Sequence, residues 1–225
     1  MKKILISSTT FLNDTNDSWK NLKKKYKLNF SPFGKVFYLD KKYSTQINLV
    51  FLPDILEYFN NANTNSKEYK TKINSFVKLI KNLIKNKETN YIIGISDFLF
   101  DDTIMHLKKN ISLDLKSYFL NELYNLSKNF KNLFIFDLDK IFSYTGLKNC
   151  FSYRNYYLMN CRLSSEGLNI LSKQIDKILI NINSTTKKVL ILDCDNTIWG
   201  GVIAEDGLSK IQIGQDGVGK AFKDF

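Results

Sequence analysis

Apolar residues in this chain fall into short runs separated by longer segments with a helical period. Lys3–Ser7 is a strand-sized run that ends in the hydroxyl cluster Ser7, Ser8, Thr9, Thr10. Leu28–Phe30, Asn48–Leu52, Tyr91–Ile95 and Leu133–Phe136 read as further strands. Between them lie amphipathic segments. Asp14–Lys27 spaces Trp19, Leu22 and Tyr26 helically, and Lys67–Lys85 places Ile73, Phe76, Val77, Ile80, Leu83 and Ile84 on one face. Leu113–Asn129 keeps Leu115, Phe119, Leu123 and Leu126 in register. Ser164–Ile182 starts at a capping Ser164 with Glu166 in its first turn. Strands alternating with helices predict an α/β fold: a parallel sheet covered on both faces, in three layers.

The pattern changes near residue 183. The polar stretch Asn181–Lys187 ends the last helix, and residues 183–187 read as a linker. Residues 1–182 form one expected domain and 188–225 the start of another. A new apolar run opens at Lys188, and five of the ten glycines fall between Gly200 and Gly217. The other low-complexity segment, Asn60–Ser66, lies inside the alternating pattern and reads as a surface loop.

The chain has 225 residues, 44% hydrophobic and 24% charged. That composition excludes disorder as the main state. No apolar run reaches the roughly 18 residues of a membrane span. No secretory leader is visible, and three cysteines without a CxxC suit a reducing, cytoplasmic setting. The net charge of +11 raises the question of nucleic acid, but only Arg154 and Arg162 among the 33 basic residues are arginine. The lysines sit at solvent-facing helical positions such as Lys78, Lys81 and Lys85. A solvated surface is therefore preferred to a nucleic-acid footprint.

The most informative segment is Val189-Leu190-Ile191-Leu192-Asp193-Cys194-Asp195-Asn196-Thr197-Ile198-Trp199-Gly200-Gly201. Four apolar residues predict a buried strand with Asp193 at its carboxyl end, where open α/β sheets bind ligands. On that strand Cys194 would point inward. Asp193 and Asp195 would share a side, roughly 6.5 Å apart along the chain. Thr197 would follow at a turn whose amides can face an anion. Two carboxylates so placed can divide a phosphoryl transfer, one attacking phosphorus and the other moving the proton. Mg²⁺ suits the all-oxygen ligand set and offsets the repulsion among these groups. The alternative is a strand followed by an Asp-rich turn.

This segment resembles motif I of the haloacid dehalogenase (HAD) superfamily. From Asp193 to Leu208, with Ile211, Gly214 and Gly219–Phe222, it is similar to the FkbH-like proteins of HAD subfamily IIIC. The resemblance implies Asp193 as nucleophile and Mg²⁺ ligand, Asp195 as general acid/base and Mg²⁺ ligand, and Thr197 as the residue orienting the phosphate loop. Trp199–Leu208 would form the flap. Residues 188–225 would supply the first strand and flap of a HAD Rossmann-like domain. The expected substrate is a phosphorylated small molecule or acyl phosphate. The family's characterised members load a three-carbon unit from an acyl phosphate onto an acyl carrier protein. In the family a Ser/Thr, a Lys and an acidic pair follow further on, and here they would lie beyond Phe225. The expectation is an incomplete HAD domain with little or no turnover by itself.

FkbH-like proteins also carry an N-terminal domain resembling the SGNH hydrolases, a flavodoxin-like fold. On that resemblance Ser7-Ser8-Thr9 stands at the nucleophile block, without its preceding Gly-Asp, and Gly94-Ile95-Ser96-Asp97 at the Gly-x-Asn-Asp block. Met159 and Arg162 stand at the positions of the catalytic Asp and His. Neither can deprotonate a serine, so an SGNH-like fold without SGNH chemistry is expected. The lone histidine, His106, reads as a helix-surface residue, and Asp101 and Asp102 as helix caps. Ser7, Ser8, Ser96, Asp97 and Arg162 would converge on a ligand edge. There Arg162 can either hold an anion in bidentate fashion or pair with a nearby Asp. The alternative function is a non-catalytic binding or docking module in carrier-protein or surface-polysaccharide biosynthesis.

Overall fold

The computed structural model describes residues 1–36, 42–57, 66–97, 111–184 and 189–225. The readings of Asn60–Asn65, Asp101, Asp102 and His106 lie outside the described residues. The chain divides into two compact units, Met1–Ile180 and Asn181–Phe225.

The first unit is built on five parallel strands: β1 (Lys3–Ser8), β2 (Lys27–Phe30), β3 (Thr45–Phe51), β4 (Asn90–Ser96) and β5 (Leu133–Asp137). Their order is β2-β1-β3-β4-β5. Ile4 pairs with Leu28 on one side and Thr45 on the other, and β4 continues the ladder with Gly94 opposite Phe136. All seven residues of β3 are buried, as are five of the six in β1. A strand covered on both faces cannot alternate apolar and polar residues, so these strands read as apolar runs.

The crossovers are helical. A 3-10 turn, Asp17–Trp19, capped by Asn16, leads into α1 (Lys20–Lys25). α2 (Leu52–Glu57) follows β3 directly, and α3 (Ser66–Ile84) and α4 (Ile111–Ser127) flank β4. The face expected on α3 is the one that packs. Ile73, Ile80, Leu83 and Ile84 are buried with Tyr91, Ile93, Leu115, Phe119 and Leu123 in one core, and Phe76 and Val77 lie against it. After β5 come three short helices, α5 (Leu138–Ser143), α6 (Leu147–Cys150) and α7 (Tyr153–Met159), and then the long α8 (Ser165–Asn183). Ser164 caps α8 by accepting from the Gly167 N–H at 3.1 Å. Leu168, Leu171, Ile175 and Leu179 form its buried stripe, and Asp176 receives the Lys25 ammonium at 2.6 Å.

Two boundaries differ from expectation. β3 begins at Thr45 and ends at Phe51, whereas the apolar pattern placed a strand at Asn48–Leu52. Its first residues, Thr45 and Gln46, are polar yet buried, which hides them from a hydrophobicity reading. The other difference lies in the second unit. Val189–Leu192, read as a strand buried in a sheet, pairs with no other strand among the described residues and is exposed, Ile191 to 88%. A parallel strand needs neighbours on its edges, and the described residues supply none. Cys194 is exposed rather than inward, because no pleat exists to turn it. This unit is organised by local contacts: α9 (Ile203–Asp206), paired backbone bonds between Gly200 and Gln212 at 3.0 and 2.8 Å, and α10 (Gly217–Asp224).

Gly167 sits in the first turn of α8, where a Cβ would overlap the Cys150 carbonyl oxygen. Alanine normally favours a helix over glycine. Here the overlap outweighs that preference. Gly167→Ala is expected to destabilise the first unit by about 1–3 kcal/mol in urea unfolding.

Candidate functional site

In a sheet of order 2-1-3-4-5 the chain reverses its winding between β1 and β3, and the crevice outside their carboxyl ends is where such folds hold ligands. Ser8, Thr9 and Thr10 leave β1 there, and Asp54 enters from the first turn of α2. Arg162 comes from the link between α7 and α8. Arg162 and Asp54 form an ion pair, Nε to Oδ1 at 2.6 Å, with side chains only 2% and 6% exposed. Thr9 Oγ1 donates to the other Asp54 oxygen at 3.0 Å. Thr10 Oγ1 accepts from the Arg162 N–H at 3.0 Å and donates to the Asn160 carbonyl at 2.7 Å. The guanidinium also lies over the Tyr156 ring, 4.4 Å from its centroid. Of the two roles open to Arg162, the structure realises the ion pair. Ser7 is committed as well: its hydroxyl donates to Asn48 Oδ1 at 2.6 Å across the sheet. Ser8 accepts from the Thr10 N–H at 3.2 Å.

Ser96 and Asp97 belong to a second cluster, at the carboxyl ends of β4 and β5. Ser96 donates to Asp139 Oδ1 at 2.5 Å, and the Asp97 N–H donates to Asp139 Oδ2 at 2.9 Å. Lys116, from α4, reaches Asp97, Asp137 and Asp139 at 3.1, 3.0 and 2.8 Å. Burial, then the hydrogen bond with Asp139, raises the Asp97 carboxyl to about 6. Burial also pushes Asp139 upward, but hydrogen bonds from Asp97, Lys116 and Ser96 prevail and hold it below the ordinary carboxylate range. Burial opposes the Lys116 charge, and the surrounding carboxylates outweigh it, so its ammonium is held above the usual lysine value. The five expected edge residues therefore do not converge: Ser8 and Arg162 meet through Thr10, Ser96 and Asp97 belong to the Lys116 cluster, and Ser7 is taken up by Asn48. Sequence reasoning missed Asp54, Lys116, Asp137 and Asp139. For two of them a signal existed: Asp137-Leu138-Asp139 ends β5 with the same spacing as Asp193-Cys194-Asp195.

In the second unit Asp193 is exposed and accepts from its neighbour, the Cys194 N–H, at 2.8 Å. Asp195 Oδ1 accepts from the Trp199 indole at 3.0 Å and the Ile203 N–H at 3.4 Å. The Thr197 and Ile198 N–H groups both turn back to the Cys194 carbonyl, at 3.2 and 2.9 Å. Asn196 takes a left-handed φ of 54° and accepts from the Gly201 N–H at 2.9 Å. Asp193, Asp195 and Thr197 thus bracket one tight turn. No cation of the protein pairs with either carboxylate among the described residues, and no group of three metal-ligating side chains is found among them. The donor set is all oxygen, which fits Mg²⁺ held by one or two carboxylates with water completing its shell.

No protein family and no curated protein matches this sequence. Solved structures do. The crystal structure of the N-terminal part of the protein BF1531 from Bacteroides fragilis, containing a phosphatase domain complexed with Mg, aligns over 100% of this chain with a TM-score of 0.77 and 24% identity. The chain spans 64% of that structure's length. The acetyl xylan esterase AlAXEase aligns over 79% of this chain and all of its own, with a TM-score of 0.55 and 16% identity. A Clostridium thermocellum family 3 carbohydrate esterase aligns over 80% of this chain and 96% of its own, with a TM-score of 0.52 and 11% identity. At these identities the likeness is one of fold: an α/β, SGNH-like architecture on a five-stranded parallel sheet. Among the described residues no helix is long and apolar enough to cross a membrane.

Two outcomes follow from the buried charges. Arg162→Ala leaves Asp54 buried without its cation and is expected to cost about 3–5 kcal/mol in urea unfolding. Replacing both partners, as in Arg162→Met with Asp54→Leu, costs less. Asp97 keeps its proton in the native state up to about 6 and releases it from the unfolded chain near 3.8. The native state therefore binds more protons inside that window, and its stability falls as pH rises through it. Asp97→Asn is expected to flatten that fall, so the variant gains on the parent above pH 6 when unfolding is followed at several pH values.

Proposed function

We propose that this chain carries the first catalytic motif of a Mg²⁺-dependent phosphohydrolase or phosphotransferase of the HAD-IIIC, FkbH-like kind. One observation carries the reading. The chain contains the Asp-x-Asp spacing twice, once at the end of β5 and once at a tight turn, and the two copies are neutralised differently. Asp137 and Asp139 close on Lys116. Asp193 and Asp195 have no protein cation against them among the described residues, which leaves them open to a cation from solution. Mg²⁺ bound there would neutralise charge on the transferring phosphoryl group.

The residues then divide the work. The exposed Asp193 carboxylate attacks phosphorus, and the bond to the leaving oxygen breaks to give an aspartyl phosphate. Asp195 gives its proton to that oxygen, then takes one from the incoming water, which leaves as inorganic phosphate, or from an acceptor hydroxyl, which carries the phosphoryl group away; either outcome restores Asp193. The Trp199 indole and the Ile203 N–H hold one Asp195 oxygen in place. Thr197 keeps the turn closed through its backbone. An acyl phosphate is a suitable substrate class. An acidic acyl carrier protein complements a chain of net charge +11 and is a suitable partner; loading it would need its thiol to attack the acyl carbonyl carbon with phosphate as the leaving group, a step in which Asp193 is not the nucleophile.

A second reading concerns the first unit. The buried Arg162–Asp54 pair, with no histidine or other base joined to Ser7 or Ser8 among the described residues, favours a non-catalytic SGNH-like module that binds or docks.

The test is a Mg²⁺ titration followed by NMR of the backbone amides, with acetyl phosphate added in a second series. The amides from Asp193 to Thr197 are expected to shift with Mg²⁺. Mass spectrometry is expected to locate any phosphoryl adduct on Asp193. Asp193→Asn abolishes both responses while the amides of the first unit stay in place. Mg²⁺ shifts that persist unchanged in that variant would refute the reading.

A further inference from the structure

A cavity of about 480 Å³ opens at the amino ends of β4 and β5, on the sheet edge opposite the two networks described above. Its walls are the links from α3 to β4 and from α4 to β5: Lys87, Asn90, Asn129, Phe130, Lys131 and Asn132 line it. The volume falls in the roughly 300–1,000 Å³ range of small-molecule sites. Asn132 fixes the two walls against each other. Its Nδ2 reaches the carbonyls of Ile84, Asn86 and Thr89 at 3.1, 3.1 and 3.0 Å, and its backbone carbonyl accepts from the Tyr91 N–H at 2.8 Å. A hollow held in this way needs little ordering when a ligand enters.

The lining is one-sided in charge. Lys87 and Lys131 are exposed, no carboxylate lines the cavity, and neither ammonium forms an ion pair among the described residues. Lysines just past a helix C-terminus can serve its terminal carbonyls, and both of these follow helix ends. Here those carbonyls are already served. Asn132 holds the Ile84 carbonyl. Tyr124 accepts from the Lys128 N–H at 3.3 Å and the Ser127 hydroxyl at 2.8 Å. Leu126 accepts from the Asn129 and Phe130 N–H groups at 3.0 and 3.2 Å. The two ammoniums are left for another acceptor. Asn90 adds a further unused donor: it is half-buried, and its side-chain amide makes no hydrogen bond among the described residues. Polar groups drawn in from water normally have a partner. Phe130, half-buried against the core, supplies the apolar wall.

We propose that this cavity binds a small organic dianion, its charged head held between Lys87 and Lys131, with Asn90 donating to a head-group oxygen and an apolar body packed on Phe130. Two cations suit a doubly charged head such as a phosphate monoester or a dicarboxylate. A cationic ligand meets two like charges there, and a neutral ring leaves both ammoniums unpaired. The site lies in the first unit, shares no residue with the Arg162 or Lys116 networks, and is independent of the chemistry assigned to Asp193.

The experiment is a backbone-amide NMR titration of the whole chain, at low constant ionic strength and without Mg²⁺. The probes are phenyl phosphate, phthalate, inorganic phosphate, phenol and phenyltrimethylammonium. Phenyl phosphate or phthalate is expected to shift Lys87, Asn90, Lys131 and Asn132 and to bind more tightly than inorganic phosphate. The tighter of the two identifies the head group. Lys87→Gln and Lys131→Gln are each expected to weaken that binding about fivefold. Asn90→Asp keeps the side chain's size but places a negative charge in the cavity, and is expected to abolish it. Lys81→Gln removes an equally exposed charge from α3 outside the cavity and is expected to leave binding unchanged. The proposal is overturned if neither organic dianion moves these amides, or if inorganic phosphate binds as tightly as they do. It is also overturned if Lys81→Gln weakens binding as much as the cavity variants, or if phenol or phenyltrimethylammonium moves the amides instead.

Discussion

The Arg162–Asp54 ion pair occupies the place that the parallel sheet makes available to a ligand. Strand order 2-1-3-4-5 puts a crevice at the carboxyl ends of β1 and β3. In this chain a guanidinium and a carboxylate, both buried, close on one another there. The pair also organises its surroundings, since Thr9, Thr10 and Asn160 are all hydrogen-bonded through it or beside it. A buried charge pair is stable only when its remaining hydrogen bonds are met, and the hydroxyls after β1 meet them. The hydroxyl run that resembles a nucleophile block thus serves, in Thr9 and Thr10, to seat a salt bridge. A neighbouring cleft at the carboxyl ends of β1 and β2 stays open, lined by Ser8, Phe11, Phe30 and Phe33.

The two Asp-x-Asp pairs show how little a spacing means without its neutralising partner. At the end of β5 the carboxylates converge on Lys116, and the cluster joins α4, β4 and β5. In the second unit the carboxylates bracket a tight turn stabilised by Asn196, Trp199 and backbone bonds. Only the latter pair has no protein cation against it among the described residues. The contrast gives the functional reading physical content, because it distinguishes a structural cluster from a candidate phosphoryl centre by charge rather than by motif. The likeness to solved structures is one of fold and adds no residue to that contrast.

Legibility in the sequence followed burial. Strands buried on both faces stood out as apolar runs, and α3, α4 and α8 announced themselves through one-sided periodicity. The sequence missed β3's first residues because Thr45 and Gln46 are polar inside the sheet. It missed α5, α6 and α7 because helices of four to seven residues are too short to show a period. It placed Val189–Leu192 in a sheet from apolarity alone, yet those side chains are exposed among the described residues.

Residue order by itself determined the α/β class, the change of character near residue 183, and the identity of Asp193, Asp195 and Thr197 as candidates, since periodicity and local spacing are written along the chain. Tertiary structure alone decided that Arg162 faces Asp54 across 108 positions and that Lys116 gathers three carboxylates. Those facts depend on which distant side chains share a buried volume. Partners so far apart in sequence leave no local trace, and only the packing that excludes water makes their charges and hydrogen bonds matter.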